Sequence, residues 1–129
     1  MERISPESAS VLLALSNDLA GAVESAGHSV VSVHARPRTP SSGVHWGPGV
    51  IVTAEHTVKR DEEISVTLPD GRMVAAVLVG RDTSTDLAVL KLQEAEFPVA
   101  EIGDAAALRV GHVVLAVARS GERGVGASW

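Results

Sequence analysis

Glu63-Ile64-Ser65-Val66-Thr67-Leu68-Pro69-Asp70-Gly71-Arg72 begins a stretch that runs on to Val79, and its pattern decides the fold. Polar and apolar residues alternate through Leu68, a tight-turn signature follows at Pro69-Asp70-Gly71, and a second strand is read from Arg72 to Val79. A period of two turns one face of the first segment toward a core, while proline with a fixed φ and glycine with free access to positive φ reverse the chain. The stretch is therefore read as a β-hairpin.

Toward the N-terminus, Glu55 to Arg60 is polar, and Val50 to Ala54 before it is apolar along both faces at its centre, as a strand enclosed in a barrel or sandwich is. Gly47 to His56 thus reads as a buried strand that delivers a histidine where it stops. Further back, Val30 to Ala35 is a short β-branched strand, closed by the exposed loop Arg36 to Gly43. Ser5-Pro6-Glu7 carries a hydroxyl to cap free amides, a proline where no N–H is needed and an early acid, the start of a helix. Leu12, Leu15, Leu19, Ala22 or Val23, and Ala26 then form one apolar stripe that ends at Gly27, a glycine suited to the residue just past a helix. The other face is not basic, so the stripe is expected to pack on the domain or on a partner rather than on a membrane.

Toward the C-terminus, Gly80 to Thr85 is a polar connection and Leu87 to Leu92 a strand. Gln93 to Leu108 is loop-like, with an alanine run suited to a turn of helix, and His112 to Ala118 is a valine-rich strand. Arg119 to Gly126, with three glycines and two arginines, reads as a linker. Six short strands at hairpin-like spacing, without βαβ alternation, predict a mainly β fold. The expected architecture is a six-stranded antiparallel β-barrel, closed or nearly so, with an N-terminal α-helix. Residues 1–29 would be helix and lead-in, 30–118 the barrel and 119–129 a glycine-rich linker.

A chain of 129 residues fits one domain, and its apolar 45% is mostly valine, alanine and leucine. Charges of both signs are interleaved around a net −5, leaving no basic stripe for nucleic acid. The absence of cysteine excludes disulfides, thiol nucleophiles and cysteine-held zinc. None of the five histidines forms a His-x-x-x-His pair, so no metal or other cofactor is expected. The apolar run Val11 to Leu15 is too short to span a bilayer, and Asp18 keeps it from extending. Compartment stays undetermined.

Two residues invite a chemical reading. His56 stands at a strand end, where a base is both fixed and open to solvent, and Asp86 immediately precedes the apolar Leu-Ala-Val-Leu segment. A general-base imidazole needs a carboxylate to hold its tautomer and stabilise the imidazolium. Locally, however, the loop-capping reading of Asp86 after Ser84-Thr85 is the favoured one, and His56 taken alone is weak evidence of a site.

Five segments then point one way: Val30 to Val33, Gly49 to His56, Leu68 to Arg72, Thr85 to Leu92, and Gly103-Asp104 with Leu108 to Gly111. In order and spacing, Val30 to about Val117 resembles the first half of the protease domain of HtrA-type (DegP/DegQ-like) serine proteases, members of the chymotrypsin-like superfamily. The resemblance implies that His56 is the general base and Asp86 its orienting carboxylate, with His first, Asp second and Ser last in the chain. It also implies a nucleophile in a Gly-x-Ser-Gly-Gly stretch of a second barrel, which these residues do not contain. Ser42-Gly43 and Ser120-Gly121 lack that glycine pattern and are rejected as nucleophiles.

The chain also departs from the family. Where the family often reads Gly-Asp-x-Val-Leu-Ala-Ile-Gly-Asn-Pro-Phe-Gly, this chain runs Gly111-His112-Val113-Val114-Leu115-Ala116-Val117-Ala118-Arg119-Ser120-Gly121, and nothing resembles a PDZ domain. The expectation is the N-terminal half of a serine endopeptidase acting on proteins or peptides, inert by itself. The alternative is a non-catalytic barrel kept for assembly. A half-domain with an uncovered face is expected to self-associate, as a segment-swapped homodimer for example. The resembled family is often extracytoplasmic, though no compartment is implied for this chain.

Overall fold

The computed structural model describes residues 5–93, 96–119 and 124–128. Its centre is a closed antiparallel barrel of six strands: β1 (Val30–His34), β2 (Ser41–Gly47), β3 (Val50–Ala54), β4 (Ile64–Thr67), β5 (Met73–Asp82) and β6 (Leu87–Leu92). Around the barrel the strands run β1-β2-β3-β6-β5-β4, and β4 returns to pair with β1. Closure leaves no unpaired edge. The inward residues are β-branched and aliphatic, with Val31, Val33, Ile51, Val66, Leu68 and Leu90 all buried. Such side chains fill most of a narrow barrel, with Phe97 packed against them.

The hairpin forms as expected between β4 and β5. Gly71 N–H donates to Leu68 O (2.9 Å), Leu68 N–H to Arg72 O (2.8 Å), and Gly71 holds the positive φ of 92° that the reversal needs. The Asp70 carboxylate accepts from the Arg72 amide and from its Nε. β5 runs three residues past the predicted Val79, through a bulge between Leu78 and Gly80.

The sixth barrel strand is not the predicted one. β2 occupies residues 41–47, where the sequence suggested the end of a loop, and Gly43 lies in it opposite Val31 and Thr53. A Cβ on Gly43 would stand 2.7 Å from Ile51 Cγ2 and 3.0 Å from Val33 Cγ2, so the glycine marks a close approach rather than a turn. The valine-rich stretch His112 to Ala118 enters a strand only at Ala116. There β7 (Ala116–Arg119) pairs with β8 (Val125–Ser128) in a separate two-stranded sheet. The barrel is already closed by β1 and β4, so no edge remains for it. β8 lies within the stretch read as a linker. Ser120-Gly121 lies outside the described residues.

Helix α1 spans Pro6–Gly27, capped by Ser5, whose Oγ accepts from Ser8 N–H. Gly27 is its last residue rather than the one beyond it. It packs against β8, where a Cβ would meet Val125 Cγ2 at 3.0 Å. Only the C-terminal turns of the helix are covered: Leu12 and Leu15 of the apolar stripe are exposed, while Leu19 and Val23 are half-buried. Among the described residues no helix is long and apolar enough to cross a membrane. Arg119 joins helix, hairpin and barrel. Its guanidinium donates to Gly27 O and Val30 O (both 2.7 Å), its carbonyl accepts from Ser32 and Ser42 Oγ, and its amide donates to Ser42 Oγ.

Candidate active site

Antiparallel pairing brings together two residues that lie thirty apart in sequence. β3 and β6 end in the pair Ala54↔Leu87, so the residues leaving β3 and those entering β6 meet at one rim of the barrel. After Ala54 the chain makes one turn of 3-10 helix, Glu55–Thr57, that carries His56. Thr57 and Val58 are buried, and Thr57 Oγ1 donates to Ala54 O at 2.7 Å. The turn is thus pinned beneath a histidine that points outward.

Asp86 grips this turn at three points. Its carbonyl accepts from Glu55 N–H (3.0 Å), Oδ1 from His56 N–H (2.8 Å), and Oδ2 contacts His56 Nδ1 at 2.7 Å. To do so it adopts a left-handed backbone with φ of 58°, which aspartate tolerates better than most residues. The His56 amide, and after it the His56 ring, hold the Asp86 carboxyl below the usual carboxylate range. An ionised Asp86 accepts only, so Nδ1 carries the ring proton and Nε2 presents a lone pair. The arrangement can take a proton at Nε2 while Asp86 stabilises the resulting imidazolium.

Asp86 is not sunk among apolar neighbours as an orienting carboxylate ordinarily is. The His56 and Asp86 side chains are 67% and 47% exposed. Nothing among the described residues covers that open face.

The other histidines do structural work. His45 is fully buried and stacked on Phe97 with ring centroids 3.9 Å apart. Its Nε2 accepts from Gly49 N–H, which leaves Nδ1 to donate to Pro98 O. His34 Nε2 bonds Thr67 Oγ1, His112 Nδ1 accepts from Arg109 N–H, and His28 caps α1. Among the described residues no three His, Cys, Asp or Glu are grouped to hold a metal. Ser42 is held in β2 by the Arg119 backbone.

Sequence reasoning missed the supports of this site. Arg81 pairs with Glu55, and Asp82 shapes the turn before Asp86 by accepting from Ser84 and Thr85. The only sequence trace is that a charged pair, Arg81-Asp82, closes an otherwise apolar strand.

A closed six-stranded antiparallel barrel of this topology, with a helix before it, matches a chymotrypsin-like barrel. Residues 41–128 match the family model of the trypsin-like peptidase domain. The chain is 38% identical over 109 residues to serine endoprotease DegS of Salmonella typhimurium, a match that covers 74% of this chain and 31% of that protein. It is 46% identical over 69 residues to a probable periplasmic DegP-like serine endoprotease of Halomonas elongata, covering 54% of this chain and 15% of the relative. A crystal structure of the serine endoprotease from Yersinia pestis superposes with a TM-score of 0.72 at 38% identity, over 82% of this chain and 40% of that one. The chain belongs to the trypsin-like peptidase domain family, and its sequence is that of an HtrA-type serine protease domain. It spans less than a third of the length of these two curated relatives.

Proposed function

We propose that this chain supplies the base-bearing barrel of a serine endopeptidase that cleaves peptide bonds by acyl transfer. His56 takes the proton of a serine hydroxyl and returns it to the leaving amine, and Asp86 holds the productive tautomer. The observation that carries this reading is the three-point grip of Asp86 on the Glu55–Thr57 turn, ending in the 2.7 Å contact with His56 Nδ1. The serine and the backbone amides that receive the oxyanion belong, on this reading, to a second barrel packed over the exposed rim. By themselves the 129 residues are inert, because they hold no Gly-x-Ser-Gly-Gly stretch to supply the nucleophile and the oxyanion amides.

A fluorophosphonate probe tests the reading directly. The 129-residue chain stays unlabelled, whereas a gene product that continues into a Gly-x-Ser-Gly-Gly barrel is labelled stoichiometrically. In that longer protein Asp86→Asn lowers kcat on the order of 10⁴-fold, because the amide favours the wrong imidazole tautomer. Labelling of the 129 residues alone would overturn the claim of inertness.

The same reading extends to assembly. Ile102, Leu108, Val110, Val113 and Val114 are exposed in the segment between barrel and β7, and Leu12 and Leu15 are exposed on α1. A half-domain with this much apolar surface associates with itself unless a second barrel covers it. Multi-angle light scattering gives a mass above the monomer for the isolated chain at high concentration; a strict monomer excludes it.

A further inference from the structure

Arg81 lies beside the pair and directs its hydrogen bonds to the residues that flank His56. Its Nε donates to Glu55 Oε1 at 2.9 Å, and Nη2 reaches the same oxygen at 2.8 Å and Val58 O at 2.6 Å. Glu55 immediately precedes His56 and Val58 lies two residues after it, so one guanidinium grips the turn on both sides of the histidine. The Glu55 side chain is only 15% exposed, which makes this a stronger contact than a solvated surface pair.

Arg81 reaches that position because of the bulge. Along β5 and β6, Val77 pairs with Lys91 on the outer face and Leu78 with Leu90 on the inner. Without an irregularity, Arg81 would fall opposite Leu87 on the outer face. The extra residue between Leu78 and Gly80 shifts the register, so that Arg81 falls opposite the fully buried Ala88. The side chain is thereby turned across the barrel mouth toward Glu55 and Val58. Asp82, the next residue, directs its carboxylate to the other half of the site. Its Oδ1 accepts from Ser84 N–H and Oγ, and its Oδ2 from Thr85 Oγ1, shaping the turn that presents Asp86. Two consecutive residues at the end of β5 therefore anchor both the histidine-bearing turn and the aspartate-bearing one.

We propose that Arg81 is a positioning residue for His56, fixing the Glu55–Val58 turn where Asp86 can hold the imidazole, and that the β5 bulge exists to aim it. The proposal rests on the reading of His56 and Asp86 as base and orienting carboxylate. Removing the guanidinium frees Glu55 and the Val58 carbonyl, and the turn shifts against Asp86 although the barrel core is untouched.

The test is imidazole and amide proton exchange by NMR on the ¹⁵N-labelled 129-residue chain. In the wild type, His56 shows a low-field, slowly exchanging Nδ1–H that Asp86→Asn abolishes. In Arg81→Ala, exchange of that proton and of the His56 amide rises about tenfold, the loss of one hydrogen bond's worth of hold. The Ile51 and Leu90 amides keep their protection. Arg81→Lys, which keeps the cation but loses the fork, falls between the two. An unchanged His56 Nδ1–H in Arg81→Ala overturns the proposal and leaves the dyad reading standing. A wild-type ring without that proton overturns the dyad reading and the proposal with it. Should Arg81→Ala fail to fold, Arg81→Lys decides: exchange equal to wild type overturns the proposal.

Discussion

Asp86 carries three acceptor contacts on one residue, and its protonation is therefore tied to the shape of the site. Its folded carboxyl titrates below the unfolded value of about 3.9, so the ionised form is the one the fold prefers. The associated stabilisation is present above about pH 4 and is lost as pH falls through the depressed folded value. A ¹³C carboxyl titration is expected to place the Asp86 midpoint below that of an unstructured aspartate; a midpoint at or above it would contradict the grip described. His45 makes a second residue-scale prediction. Replacing it by alanine strands the Gly49 N–H and the Pro98 carbonyl and removes a stacked ring, a cost of about 2–4 kcal/mol in urea unfolding. A cost below about 0.5 kcal/mol would mean that water replaces the imidazole without penalty.

At the scale of elements, β2 joins β1 to β3 in the barrel wall, and Gly43 is what lets it lie close to them. Gly43→Ala forces a methyl group against Ile51 and Val33 and is expected to destabilise by about 1–3 kcal/mol. A neutral result would show that β2 can lift off the core without loss. On the opposite side of β3, Leu90→Ala empties a fully buried position and costs about 2–5 kcal/mol by the same measurement. The hairpin 63–79, the β3 and β6 strands and the capped start of α1 were all legible in the sequence, because period, turn chemistry and capping are local. β2 was not. Its Ser41-Ser42-Gly43 opening, directly after Pro40, has the composition of a loop, and the reason for its glycine is an approach to residues on neighbouring strands.

At the scale of the whole molecule, Arg119 is the clasp between parts that the strand ladders do not join. Arg119→Ala removes the donors to Gly27 O and Val30 O. Amides of β7, β8 and the last turns of α1 are expected to exchange about tenfold faster, while β3 and β6 stay protected. Equal exchange throughout would place the attachment elsewhere. The uncovered rim at His56 and the exposed apolar residues between Ile102 and Val114 are further whole-molecule features, visible only once the barrel closes without using His112 to Ala118.

His56 and Asp86 were singled out in the sequence through their place in five ordered segments, since spacing along a chain survives without coordinates. The mostly β character and the N-terminal helix were legible because hydrophobic period records which face of each segment is buried. The β3–β6 ladder brings His56 to Asp86, and the left-handed backbone of Asp86 and the reach of Arg81 across a bulge hold them there. Those depend on register, and a register is a relation between distant strands that no local pattern encodes.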